Sequence, residues 1–492
     1  MTAQRPGKTT CIKKAAWVIA WDEAGRRPVY RRDIDVVFQG NRIVAVGGEY
    51  RESIDETIDG RRYLVMPGLI DVHSHAMSEN AGRGVTEELG NPQLYMSGLF
   101  DLKPPFLIGH SMTKSAETAE SLRAANEVAM AELLMSGVTT IADLGMPYEG
   151  WADTLASTGI RAVVAPMYRS AKWVVRTGHS VEYEWDEKGG ERAMREALDV
   201  IDAVARHSSG RITGMVSPAQ VDTCTKELLL DSLAEAKRRN LPVTLHCGQA
   251  VWEFLEMTRR HGKTPVQWLG DIGFLGERTL LAHAIFVDTH SWLRWHTKRD
   301  VSLLAETKTS VAHCPTVFSR YGQMMEHVGG YIRAGVNVGI GTDTQPHNML
   351  EEMRNAIIFG RIASEDVTAV NAAEIFAAAS SAGARALLRD DIGRIAVGAK
   401  ADLVLADLEE PTMMPARDPL RSLLFTSAER AVREVYVDGV RVVAEGEPLF
   451  VDRRKSAERL ARAQAEILSA VPQTDIRKRR PEAISPLTLP LQ

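Results

Sequence analysis

Between residues 67 and 395, short apolar runs alternate with longer stretches of helical periodicity, and this alternation limits the fold more than any other feature. The runs include Val138-Thr139-Thr140-Ile141, Ala162-Val163-Val164-Ala165, Val243-Thr244-Leu245, Thr279-Leu280-Leu281-Ala282, Ser310-Val311-Ala312 and Asn337-Val338-Gly339-Ile340. Helical patterns at 121–136, 191–207 and 226–239 precede such runs. Strands alternating with helices imply a parallel sheet. About 330 residues of the pattern suit a (β/α)8 barrel with insertions better than an open sheet. The expected class is therefore α/β, a TIM barrel.

The two ends of the chain look alike and differ from the middle. Residues 11–66 read as short strands, with Gln39-Gly40-Asn41-Arg42 as a hairpin signal between apolar runs. The same texture returns at 401–406 and 432–443. After 450 comes a charged helix near 453–470, then a tail containing Arg477-Lys478-Arg479-Arg480, which reads as a solvated face.

Composition narrows the function classes. Of 492 residues, 45% are hydrophobic and 25% charged, ordinary for a soluble globular chain. A net charge of −5 argues against nucleic acid as the main partner, because phosphate binding normally shows a basic excess. Cys11, Cys224, Cys247 and Cys314 form no CxxC pair, so a reducing cytoplasm is expected rather than a disulfide framework. The early apolar run at 15–21 is too short to span a membrane and reads as a strand. The expected partner is a small molecule, with no nucleic acid and no membrane.

The chemistry sits at strand ends. Pro67-Gly68-Leu69-Ile70 leads into Asp71-Val72-His73-Ser74-His75. Residues two apart on a strand share a face. His73 and His75 are thus expected to point together at the C-terminal end of the first barrel strand, where barrel active sites lie. Paired neutral imidazoles suit Zn²⁺ or a similar ion. An HxH triplet alone occurs often by chance. Here, however, His246, His283, His313 and Asp343 each follow an apolar run too, which packing alone does not explain. His207, His261, His290, His296 and His327 fall in helices or loops without this placement.

On these residues the chain resembles the amidohydrolase superfamily, in the branch of cytosine and guanine deaminases and triazine hydrolases. The resemblance covers about 11–450 and includes the Pro67-to-His75 motif, the histidine series, Gly341-Thr342-Asp343 and the closing segment from Gly393 to Leu403. It implies a small composite β-sandwich from 1–66 plus 396–450 beside a catalytic barrel at 67–395. Residues 451–492 remain as a C-terminal helix and tail. It further implies that His73, His75, His246 and Asp343 ligate one divalent metal, Zn first, with Fe, Mn or Co as alternatives. His283 would contact water or substrate, and His313 would shape the pocket. A homo-oligomer is expected from the family. Other branches bridge two metals with a fourth-strand lysine; residues 212–218 carry none, and Lys226 lies in the next helix, so a single metal is expected. That ion would lower the pKa of water toward ~7, with Asp343 taking the proton.

The pattern breaks at one place. The branch usually carries His-x-x-Glu after the fifth strand, whereas this chain reads His246-Cys247-Gly248-Gln249. An amide cannot serve as a general acid, and losing such a group costs about 10²–10⁴-fold in rate. Hydrolysis of an acyclic amide, urea or carbamate needs no ring protonation, so that class of non-peptide C–N bond is expected first. Deamination or dechlorination of an aminopyrimidine- or triazine-like ring is the alternative, and a non-catalytic scaffold the second. Glu253 and Glu256 lie too far along the chain to substitute. His313, Trp252, Phe318 and Arg320 are expected to line a pocket for a flat, partly polar molecule. His347 can line that pocket or face solvent. The stretch 76–118 is a candidate lid, with His110 and His179 in long loops.

Overall fold

Eight short parallel strands close into a barrel in the computed structural model, which describes residues 7–77, 79–91, 96–97, 116–174, 176, 180–475 and 477–491. In chain order they are β1 (Leu69–Ser74), β2 (Val138–Gly145), β3 (Arg161–Tyr168), β4 (Ile212–Gly214), β5 (Val243–Cys247), β6 (Thr279–His283), β7 (Ser310–His313) and β8 (Asn337–Ile340). β1 to β4 pair in sequence, and so do β5 to β8. Bridges Val216–Val243 and Gln220–His246 join the two arcs on one side, and Ser74–Asp343 joins them on the other. At that second seam Asp343 N donates to His73 O at 2.9 Å and His75 N donates to Asp343 O at 2.7 Å.

Buried on both faces, the barrel strands read as near-continuous apolar runs. Amphipathic helices supply the outer cover. Glu187–Val204 buries Ala193, Met194, Ala197, Leu198 and Ile201 at helical spacing, and Asp186 caps it by accepting from Gly189 N. Lys226–Arg239 begins at Thr225, whose hydroxyl caps Leu228 N, and ends at left-handed Asn240. The first helix of the barrel, Ala116–Met135, starts several residues earlier than its apolar period suggests.

Simple alternation does not place the histidines. Ile70 and Val72 pack in one apolar cluster with Ala142, Leu144, Val163, Leu280 and Ala312, residues of five strands that meet only in the barrel interior. Strict alternation would then turn His73 and His75 outward. Pairing with β2 passes from Asp71–Ile141 to Ser74–Asp143, three residues against two, so β1 gains one residue here. This bulge lets the strand change face and turns both imidazoles inward.

Strands from both chain ends share a single nine-stranded sheet. Tyr63–Pro67 lies between Thr9–Asp22, to which it is parallel, and Leu403–Asp407, to which it is antiparallel. Its core includes Phe38, Val65, Leu403, Leu405 and Tyr436. Arg161, at the start of β3, ties the barrel to this sheet: its guanidinium donates to Asp402 and Asp438 at 3.1 Å, with only 2% of the residue exposed.

The C-terminal helix, Arg453–Thr474, packs on its own barrel. Leu460 and Ile467 meet Ala81, Ala124, Ala125 and Val128, and Arg459 pairs with Glu120 and Glu127 at 2.6 Å. Gln464 Nε2 donates to Ala81 O and Arg83 O, so the helix also holds the described part of the candidate lid. Much of the 76–118 stretch lies outside the described residues, as do His110 and His179. In the basic run, Arg479 pairs with Asp475 at 2.7 Å, while Arg477, Lys478 and Arg480 face solvent. No helix among the described residues is long and apolar enough to cross a membrane.

Candidate active site

His73, His75, His246, His283 and Asp343 converge at the C-terminal end of the barrel. The rings of His73 and His246 are centred 4.7 Å apart, and those of His73 and His283 5.0 Å apart. Asp343 Oδ1 is 3.6 Å from His73 Nε2 and 3.5 Å from His75 Nε2, and Oδ2 is 3.9 Å from His283 Nε2. Two ligand-type triads result, His73–His75–His246 and His73–His283–Asp343, each with donor atoms within 4.8 Å of one another. Strand ends deliver these side chains through unusual backbone. His283 (φ 79°) and Asp343 (φ 59°) are both left-handed, a conformation that costs a non-glycine residue about 1–3 kcal/mol.

The donor chemistry fits a cation. His75 Nδ1 is bonded to Leu144 O at 3.1 Å and His246 Nδ1 to Ala219 O at 2.7 Å. A carbonyl can only accept, so each Nδ1 carries the proton and each Nε2 presents a lone pair instead of a proton. Those two Nε2 atoms stand 3.1 Å apart. Among the described residues neither nitrogen of buried His73 has a hydrogen-bond partner, and His283 Nδ1 has none either. Buried imidazoles arranged this way are costly unless a positive ion sits among them.

Electrostatics set the protonation states a metal requires. Burial pulls His75 down to about 4 and His283 to about 3, and Asp343 only partly offsets it. His246 is held well below the usual imidazole range, by burial first and by His73 next. For Asp343 burial pushes the carboxyl up, but contact with His73 and the nearby His283 outweighs it and holds the group below the usual carboxylate range. At neutral pH His75, His246 and His283 are therefore neutral imidazoles beside the Asp343 carboxylate.

Around this cluster stand the other residues singled out from sequence. His313, buried at the end of β7, belongs to neither triad. Phe318 meets the His283 ring edge-on at 4.6 Å. Arg320 donates to Gln345 O, two residues past Asp343, so its charge is partly engaged with backbone. Trp252 packs edge-on against Trp173 at 4.7 Å. Gln249 is half-buried in the turn after β5. Fully buried Glu253 accepts from Gly248 N at 2.6 Å and Gln249 N at 3.2 Å, so its carboxylate holds the turn. Glu256 pairs with Arg259 and Arg260 at 2.7 Å.

The sequence reading gives Asp71 and Thr342 no role of their own and leaves His347 open between pocket and solvent. Asp71 accepts from His73 N at 3.1 Å, Thr342 N at 3.2 Å and Thr342 Oγ1 at 2.6 Å. His347 is fully buried, its Nδ1 3.2 Å from Thr342 Oγ1. The available signal was adjacency, since Asp71 precedes the first histidine by two and Thr342 precedes Asp343 by one.

A parallel eight-stranded barrel with a His/Asp cluster at its C-terminal mouth defines a class, the metal-dependent barrel hydrolases. Residues 64–442 match the Amidohydrolase family, and the chain belongs to it. It is 30% identical over 447 residues to the 5-methylthioadenosine/S-adenosylhomocysteine deaminase of Haloarcula marismortui, covering 89% of this chain and 95% of that one. It is 27% identical over 441 residues to the 5'-deoxyadenosine deaminase of Methanosarcina mazei, covering 89% and 94%. Among solved structures, a zinc-bound adenosine deaminase from Xanthomonas campestris superposes with a TM-score of 0.75 at 22% identity, over 95% of this chain and 100% of that one. The zinc complex of atrazine chlorohydrolase from Arthrobacter aurescens gives 0.78 at 22%, over 92% and 100%. The family match and the deaminase-named relatives make the chain a hydrolase of carbon–nitrogen bonds other than peptide bonds, and the solved structures share its fold.

Proposed function

We propose that the chain is a single-metal aminohydrolase that removes an amino group from a nucleoside-like heterocycle. The observation that carries the metal reading is the facing pair of proton-free Nε2 atoms on His75 and His246, with ionised Asp343 beside them. His73, His75, His246 and Asp343 would hold the ion, zinc by analogy with the zinc-bound neighbours. The bound ion would supply an acidified water and a polarised substrate. Asp343, kept ionised, accepts the water's proton and returns it to the departing nitrogen. His283 orients the attacking water. His313, Trp252, Phe318 and Arg320 line the substrate side.

The heterocycle rests on the deaminase relatives, which align over nearly their whole length. Gln249 favours a second reading, an acyclic amide, urea or carbamate, because an amide side chain can hydrogen-bond a ring nitrogen but cannot protonate it. A substrate panel with zinc-loaded protein separates the two. Rapid ammonia release from adenosine-type nucleosides, with amides and ureas untouched, supports deamination; the reverse pattern supports the acyclic class. We also read the nine-stranded sheet as a composite sandwich domain of 1–66 plus 396–450 beside a catalytic barrel of 67–395. Four free buried cysteines support a cytoplasmic setting.

A further inference from the structure

We infer that Asp71 and Thr342 form a clamp that sets the spacing of the metal-holding side chains, and with it the affinity for the ion. The inference rests on the metal-centre reading above. His73 and His75 leave the end of β1, whereas Asp343 follows β8. Among the described residues no continuous ladder joins β1 to β8, and the bridge Ser74–Asp343 lies just past the end of β8. At that bridge two backbone hydrogen bonds, Asp343 N to His73 O and His75 N to Asp343 O, close the gap between the two segments, and side-chain contacts across it add to them.

The Asp71 carboxylate spans that gap. One oxygen accepts from His73 N on the β1 side and from Thr342 N on the β8 side, at 3.1 and 3.2 Å. Its other oxygen accepts from Thr342 Oγ1 at 2.6 Å. Each residue held is a proposed ligand or the immediate neighbour of one. Thr342 Oγ1 also lies 3.2 Å from Ser74 Oγ and 3.2 Å from His347 Nδ1, and Ser74 separates the two β1 histidines. Asp71, Ser74 and His347 have no exposed surface, so water cannot substitute for a lost partner. Close backbone approach completes the arrangement: a Cβ added at Gly341 would stand 2.7 Å from His73 O. Asp71 and Thr342 are thus positioning residues that act through His73 and Asp343.

Thr342→Val removes the hydroxyl at nearly constant shape, Thr342→Ser keeps it, and Asp71→Asn weakens the acceptor from the other side. Zinc dissociation constants are measured by competition with a chromophoric chelator, and circular dichroism verifies that each metal-free variant is folded. The clamp predicts affinity weakened by about 10–100-fold in Thr342→Val and Asp71→Asn, the range for outer partners of metal ligands, with Thr342→Ser near wild type. Wild-type affinity in folded Thr342→Val overturns the clamp and leaves the metal centre standing. A variant that loses only thermal stability, at unchanged zinc affinity, overturns it too. If wild-type protein itself binds no zinc, the metal-centre reading falls and the clamp falls with it. Should Thr342→Val not fold, Asp71→Asn decides by the same measure.

Discussion

Nε2 of His75 stands 3.1 Å from Nε2 of His246, and the other nitrogen of each ring is committed to a backbone carbonyl. Two lone pairs held face to face inside a barrel repel unless a cation lies between them. The carbonyls of Leu144 and Ala219 fix the tautomers, so the barrel's backbone helps to set the environment a bound ion would meet.

In the proposed roles His283 belongs to turnover and not to metal binding. Its Nε2 reaches Asp343 Oδ2 only at 3.9 Å, and its ring packs edge-on against Phe318. His283→Ala is expected to keep its metal and lose about 10²–10⁴-fold in turnover, checked by steady-state kinetics alongside elemental analysis.

Gln249 tests the choice of substrate. In the ring-deaminase reading, Gln249→Glu supplies a proton donor in the turn already held by Glu253. Ammonia release from an aminoheterocycle should then rise by as much as ~10²-fold. No gain, with amide or urea hydrolysis as the main activity, favours the acyclic class.

Gly341 sits where β8 meets β1. A methyl group there would come within 2.7 Å of His73 O and 2.9 Å of Cys314 Sγ. Gly341→Ala is expected to destabilise the fold by about 1–3 kcal/mol and to weaken zinc binding, because the displaced strand carries both β1 histidines. Denaturant unfolding and chelator competition measure the two effects.

Arg161 joins barrel and end sheet at the opposite end of the strands from the His/Asp cluster. Replacing it with Met would strand Asp402 and Asp438 without their shared guanidinium, although Lys400 still pairs with Asp438 at 2.9 Å. The expected loss is about 3–5 kcal/mol for breaking a buried pair, seen in denaturant unfolding, with turnover per folded molecule unchanged.

Asp222 gives the stability a pH dependence. Burial pushes its carboxyl up to about 6, although Trp173 and Tyr183 donate to it at 2.7 Å. The folded state therefore holds this proton more tightly than the unfolded chain does. Its contribution is full below the unfolded value of 3.8 and is lost as pH rises through about 6. Asp222→Asn should flatten that part of the stability profile, measured as unfolding free energy between those two limits.

The convergence of His73, His75, His246, His283 and Asp343 was legible because each side chain directly follows an apolar strand, a placement that survives in one dimension. What turns His73 and His75 inward was not legible, since the bulge between Asp71 and Ser74 depends on pairing with β2. The clamp at Asp71 escaped for the same reason: its partner Thr342 is distant in sequence and meets it only when the ring closes. The likeness of the two ends was readable as strand texture. The C-terminal helix was readable as an element, but its seat on Ala116–Met135 depends on Leu460 and Ile467 within a charged stretch. Gln249 is plain in the sequence, yet its consequence depends on which substrate atom it faces.

Metal content tests the account most directly. Elemental analysis of zinc-reconstituted, exhaustively dialysed protein should find about one ion per chain, lost in both His75→Ala and His246→Ala while circular dichroism stays native. No stoichiometric ion in the wild-type protein, or an ion retained by both variants, would contradict it.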